Sequence, residues 1–115
     1  MKLKIEKEEI LLQVVEYFKS SPLQIEKVWL FGSFARNEQT PDSDLDLMVQ
    51  FTTGSKADLW DFAGIKLDLE DLLGIKIDIV RQGVERPFAK KSIQRDKTLI
   101  YDRKASRQRA VAAHT

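Results

Sequence analysis

Apolar residues change their period several times along the chain, and each change marks an element. Ile10, Val14 and Phe18 recur four apart with Leu11 and Val15 beside them. That spacing predicts an amphipathic helix over about 7–20, ended by Ser20-Ser21-Pro22. Over 25–31 the unbroken apolar run Val28-Trp29-Leu30-Phe31 predicts a strand covered on both faces, with Trp29 read as core rather than as a platform for a nucleobase. A polar stretch over 32–43 follows. From Asp44 to about Phe51 acids and aliphatics alternate with the period of two that predicts a second strand, closed by Thr52-Thr53-Gly54. Ser55-Lys56-Ala57-Asp58 has the form of a capping-box variant opening a long helix that stops at Gly74. Leu59, Phe62, Ala63, Ile65, Leu69, Leu72 and Leu73 make its wide apolar face. Trp60 and Leu67 lie off the centre of that face, either as an exposed partner surface or as part of a broadly buried helix. Ile75–Val80 predicts a third strand, Pro87–Gln94 a further helix and Lys97–Tyr101 a final strand.

The order is helix, strand, short helix, strand, helix, strand, helix, strand. It predicts an α/β (α+β) domain with a small mixed β-sheet and helices packed mainly on one face. At 115 residues the chain fits one domain, taken as 1–102, with 103–115 as a basic, flexible tail. Arg103, Lys104, Arg107 and Arg109 lie in that tail among Ala and Ser, and the single histidine, His114, is near its end and is a poor base or ligand. With 43% hydrophobic and 32% charged residues the chain is globular rather than disordered. The absence of cysteine removes disulfides, thiolate metal sites and a cysteine nucleophile, and is compatible with the cytoplasm. No apolar run approaches the roughly 20 residues that span a bilayer, and Met1-Lys2-Leu3-Lys4 is not followed by the apolar region of a signal peptide. A net charge of +1 argues against broad electrostatic binding to nucleic acid.

Chemistry concentrates in the polar stretch and the strand after it. Gly32-Ser33 is followed by ten residues and then Asp44-Leu45-Asp46. Alternation puts Asp44 and Asp46 on one face and Leu45, Leu47 and Val49 on the other. Two carboxylates side by side resist ionising together, and a divalent cation relieves that repulsion. Magnesium takes carboxylate and water oxygens plus substrate phosphates, so the acid pair suits a magnesium–triphosphate complex. Gly32 allows backbone to approach a ligand closely, Ser33 is placed to cap the short helical turn, and N–H groups at a helix start attract phosphate. No G-x-x-x-x-G-K-[ST] pattern occurs, so this is not a P-loop. Arg36 either contacts a phosphate or ties the loop down through an acid. Pro41-Asp42-Ser43 is turn chemistry leading into the strand.

Gly32-Ser33-x-Ala35-Arg36 with Ser43-Asp44-Leu45-Asp46-Leu47 resembles the nucleotidyltransferase superfamily that includes DNA polymerase beta, and most of all its minimal nucleotidyltransferase (MNT) members. The resemblance runs from about Ile25 to Tyr101. Many members carry glycine after the arginine. Here the residue is Asn37, one of the few others that tolerates a left-handed backbone. The resemblance implies a third carboxylate on the next strand, at Asp78, which otherwise reads as a costly lone acid in a central strand or as half of a salt bridge. It implies that Asp44, Asp46 and Asp78 are catalytic and hold two magnesium ions, with Asp78 either completing the second metal site or accepting the proton of the incoming hydroxyl. Gly32, Ser33, Arg36 and Ser43 would bind the phosphates of ATP.

What such proteins do is likewise implied by the resemblance. Stand-alone MNT proteins pair with HEPN-domain ribonuclease toxins and act as antitoxins, transferring AMP to a toxin tyrosine. The expected activity is therefore AMP transfer from Mg-ATP to a HEPN partner in a hetero-oligomer. The chain is expected to lack the further domain with which larger relatives grip an acceptor. Two other functions fit the same residues: a non-catalytic antitoxin that masks its partner, and a nucleotidyltransferase acting on an antibiotic-type small molecule.

Overall fold

A computed structural model of the chain describes residues 6–84 and 87–105. The elements fall in the predicted order: α1 (Glu6–Ser20), β1 (Ile25–Phe31), α2 (Gly32–Ala35), β2 (Leu45–Phe51), α3 (Leu59–Leu73), β3 (Ile77–Arg81), α4 (Pro87–Asp96) and β4 (Thr98–Asp102). The four strands form one mixed sheet in the order β3-β2-β1-β4. β1 is antiparallel to both β2 and β4, whereas β2 and β3 run parallel, joined across α3.

The period-two pattern becomes two sheet faces of different chemistry. Val28, Leu30, Leu45, Leu47, Val49 and Ile77 are at most 1% exposed and share one core with Val14 and Phe18 of α1 and Ile65 and Leu69 of α3. Full burial of each such side chain contributes roughly 1.5–3 kcal/mol. Tyr17 fastens α1 to α3 through a hydroxyl bond to Asp68 at 2.8 Å, and Phe18 stacks on Tyr101 of β4. Met48 and Ile93 are also buried but lie outside that core, Met48 on the side of β2 that carries Asp46. α4 packs against β1 and α2. The two long helices therefore cover the core face, and α4 flanks the sheet near its acidic side.

Several local expectations are corrected. The capping box belongs to Asp58 and Asp61, each side chain accepting from the other's backbone N–H at 2.9–3.0 Å, so α3 starts at Leu59. Ser55 instead accepts from Ala57 N–H in the turn before it. The stop at Gly74 is as expected, with φ 70°. Only Ile65 and Leu69 of α3 are buried. Leu59 and Leu72 of the expected apolar face are exposed, and so are Trp60 and Leu67. The apolar stripe of α3 is narrower than its leucine content suggests because the helix meets the sheet along one line of contact. Trp29 is not in the core: it alternates with the buried Val28 and Leu30, is half-buried on the opposite face, and has Lys97 Nζ over its ring at 5.5 Å. Arg103–Ala105 begin a helical turn, and the rest of the expected tail, with His114, lies outside the described residues, as do Glu85 and Arg86.

Candidate active site

The site is built where β1 ends and β2 begins. At Gly32 the chain leaves β1 with φ 75° and enters the single turn of α2. A Cβ at Gly32 would run into the carboxylate of Asp46, so backbone and acid approach as only glycine allows. Ser33 is not the cap. The N-cap position is Phe31, with no side-chain cap bond, because the left-handed glycine already starts the turn and leaves Ser33 inside it. Asn37 follows with φ 60°, the left-handed conformation expected there. Lys7 Nζ of α1 donates to its side chain at 2.6 Å.

Asp44 directly precedes β2, Asp46 is its second residue, and Asp78 is the second residue of β3. Parallel register sets Asp46 beside Asp78, on neighbouring strands spaced about 4.8 Å apart. Burial, then the charges of Asp78 and Asp44, push the Asp46 carboxyl up to about 6, and only Arg36 pulls it down. Asp46 therefore feels the charge of both other acids. The expectation for Asp78's surroundings is corrected: β3 is an edge strand and Asp78 is exposed, so its charge needs no buried partner, and among the described residues no ion pair reaches it.

The flanking polar residues hold the loop. Arg36 donates to Glu38 at 2.9 Å and to Asp96 at 2.7 Å, which ties the turn to the end of α4. The Asp96 side chain is 5% exposed and also pairs with Arg95. Both arginines hold its carboxyl below the usual range. Sequence reasoning missed Asp96, because an acid after Gln94-Arg95 reads as an ordinary solvated helix end. Ser43 accepts from Thr40 N–H at 2.8 Å, and its own N–H donates to Thr40 C=O at 3.0 Å. These bonds fix the loop that delivers Asp44.

The donor set fits magnesium. It consists of carboxylate oxygens, with Asp46 and Asp78 paired in register on adjacent strands, the hard oxygen donors that magnesium prefers. The strand register brings the acids side by side, although among the described residues no three acidic or histidine side chains are gathered into a ready metal cage.

The polymerase beta nucleotidyltransferase domain model matches residues 13–106, from α1 through β4 and past it. The chain belongs to the polymerase beta-type nucleotidyltransferase family. It is 36% identical over 79 residues to a candidate protein adenylyltransferase of Methanocaldococcus jannaschii, covering 68% of this chain and 77% of that one. A solved candidate minimal nucleotidyltransferase is 35% identical, with a TM-score of 0.57 over 84% of this chain and 90% of that one. A chain from the Shewanella oneidensis complex of a tri-AMPylated HEPN toxin with MNT antitoxin shares the fold, with a TM-score of 0.63 at 13% identity over 89% and 77%. The fold and the family expected from the Gly-Ser and Asp-x-Asp motifs are thus those found, and the protein is a nucleotidyltransferase.

Proposed function

We propose that this nucleotidyltransferase transfers AMP from ATP to a hydroxyl, expected to be a tyrosine, of a HEPN-domain toxin, and so acts as an antitoxin. The observation that carries the catalytic part is the register of Asp46 beside Asp78, with Gly32 packed against the same carboxylate. Protein transfer is supported by the 36% identical relative named for protein adenylylation. The toxin is suggested by fold neighbours solved as toxin–antitoxin complexes.

Asp44 and Asp46 would hold magnesium, which when bound supplies positive charge to the triphosphate. Gly32 and Ser33 present backbone to the phosphates. Arg36 holds the turn through Glu38 and Asp96, and Ser43 holds the loop before Asp44. Asp78, exposed at the sheet edge, accepts the proton of the acceptor hydroxyl. The hydroxyl oxygen forms a bond to the α-phosphorus, the α–β phosphoanhydride bond breaks, and pyrophosphate leaves. Positioning and charge neutralisation supply the rate, because this transfer asks little covalent chemistry of the protein.

Intact mass spectrometry of the protein that co-purifies with this chain is the test, with wild type set against the Asp44→Asn, Asp46→Asn double variant. The partner is expected to gain whole AMP units with wild type only. An unmodified partner bound and inhibited equally by both would replace transfer with masking.

A further inference from the structure

The free edge of β3 carries unfinished hydrogen bonding. Lys76 C=O accepts from Leu45 N–H at 2.9 Å, and Gln82 N–H donates to Val49 C=O at 2.8 Å. In a parallel ladder this turns the even-numbered residues toward β2 and leaves Ile77, Ile79 and Arg81 facing outward. The chain caps both groups of Ile77 and the carbonyl of Arg81 itself. Ile77 N–H donates to Glu70 Oε2 at 3.1 Å, and its C=O accepts from Lys66 Nζ at 2.6 Å. Arg81 C=O accepts from Val84 N–H at 3.1 Å. Ile79 has no such cap among the described residues, although it is only 9% exposed. A main-chain donor and acceptor left unpaired together on an edge strand are a template for pairing with another chain.

Ile79 lines a cavity of about 590 Å³ whose walls also include Phe31, Leu59, Phe62, Asp78, Val84 and Ile93. Two of its apolar lining residues are open to solvent, Leu59 at 77% and Val84 at 67% exposed. An extended peptide is the ligand that offers one C=O and one N–H from a single residue to such a pair, with side chains alternating between two faces. The residue next to the one paired with Ile79 would project on the face of Asp78.

We propose that an extended, hydroxyl-bearing segment of the acceptor protein adds as a fifth strand to β3 at Ile79, and that this pairing carries its hydroxyl to Asp78. The proposal rests on the adenylyl-transfer reading above and names how that acceptor is held. Main-chain pairing sets the register, and the exposed apolar Leu59 and Val84 receive the flanking side chains.

The probe is a capped hexapeptide of alternating valine and glutamine with one central tyrosine. With wild type and Mg-ATP, AMP is expected on the tyrosine, and bound peptide should slow hydrogen exchange of the Ile79 amide by at least about tenfold. N-methylation of the peptide amides one at a time should abolish transfer at alternate positions only. Leu59→Lys with Val84→Lys, at exposed positions, should cut transfer by more than about tenfold, as the apolar contact offered to the flanking side chains is lost. ATP binding should be unchanged, and Leu12→Lys on α1 should transfer like wild type. Transfer indifferent to N-methylation, an Ile79 amide that stays unprotected, or a loss with Leu12→Lys in place of the double variant would each overturn the proposal. So would Ile79 protection that grows with protein concentration without peptide, which assigns the edge to a second copy. If the co-purifying protein gains AMP and the peptide does not, this inference fails and adenylyl transfer stands. If neither accepts AMP, the function proposed above fails and this inference with it.

Discussion

β2 and β3 present two faces built from the same residues in alternation, and the faces obey opposite rules. On one, Leu45, Leu47, Val49 and Ile77 are almost wholly buried against α1 and α3. On the other, Asp46 and Asp78 stand side by side, with Asp44 just before them. The first face is stabilised by what it excludes. The second is left with repulsion that the first must offset, visible in an Asp46 carboxyl pushed up to about 6 by burial and then by its neighbours. A one-residue slip of register would exchange the faces, so the core that stabilises the fold also aims the acids.

The widest separation between the faces should come from adjacent residues. Asp46→Asn is expected to lower transfer by at least about 10²–10³-fold with the thermal transition retained. Leu47→Ala, one residue on and fully buried, is expected to cost about 2–5 kcal/mol of stability, and the protein that remains folded should transfer at close to the wild-type rate. Denaturant titration beside a transfer assay separates the two. If Leu47→Ala lowered the rate of folded protein as much as Asp46→Asn, the division of labour between faces would be wrong.

Gly32→Ala should damage both faces at once. The substitution puts a side chain at φ 75°, at a cost of about 1–2 kcal/mol, and its Cβ would displace the Asp46 carboxylate. Stability should therefore fall modestly and transfer sharply, whereas Gly74→Ala, also at positive φ but with open space around it, should lose stability alone.

How far each face could be read from sequence follows from the same difference. The core face was legible because period-two and period-four patterns carry it: Val14, Phe18, Leu45, Leu47 and Leu69 were all expected inside and are. The acidic site was legible as a motif, since Gly32 and the Asp-x-Asp pair are close in sequence and chemically distinctive. What depends on strand order was not legible. The apolar neighbours of Asp78 in sequence, Ile77 and Ile79, point to a central strand, and only the placement of β3 at the sheet edge explains its exposure. The role of Asp96 was hidden for a related reason, as its partner Arg36 is 60 residues away. Leu59 and Leu72 were misplaced because composition does not say how much of a helix a small sheet can cover.

Asp96 sharpens the comparison by testing an indirect residue. It touches the catalytic turn only through Arg36, so it is a positioning residue. Asp96→Asn should lower transfer by roughly tenfold, short of the hundredfold that a misplacement of about 1 Å can cost. Asp96→Glu should restore part of it. Because its carboxyl is held low by Arg95 and Arg36, its stabilising contribution is present above the unfolded carboxyl range and is lost as pH falls through the lower folded value. A pH series of thermal transitions should show wild type and Asp96→Asn converging in acid.

The smallest expected effect has the opposite sign and bears most directly on the acidic face. Asp46 is raised from 3.8 to about 6, so between those values the folded protein binds more protons than the unfolded chain, and wild type loses stability as pH rises through that window. Asp46→Asn removes the ionisable group and the loss. The two proteins should match near pH 4 and diverge by pH 7, with the variant more stable. A shift of this size corresponds to about 3 kcal/mol at full strength. The half-exposed position of Asp46 and solvent screening reduce it to about 1 kcal/mol, a few degrees in a domain of this size. Magnesium should then raise the transition of wild type and leave Asp46→Asn nearly unmoved, since a cation bound at the acids stabilises only the form that holds it. If wild type were the more stable at pH 7 without magnesium, the acids would not be repelling one another, and the case for a cation there would lose its physical basis.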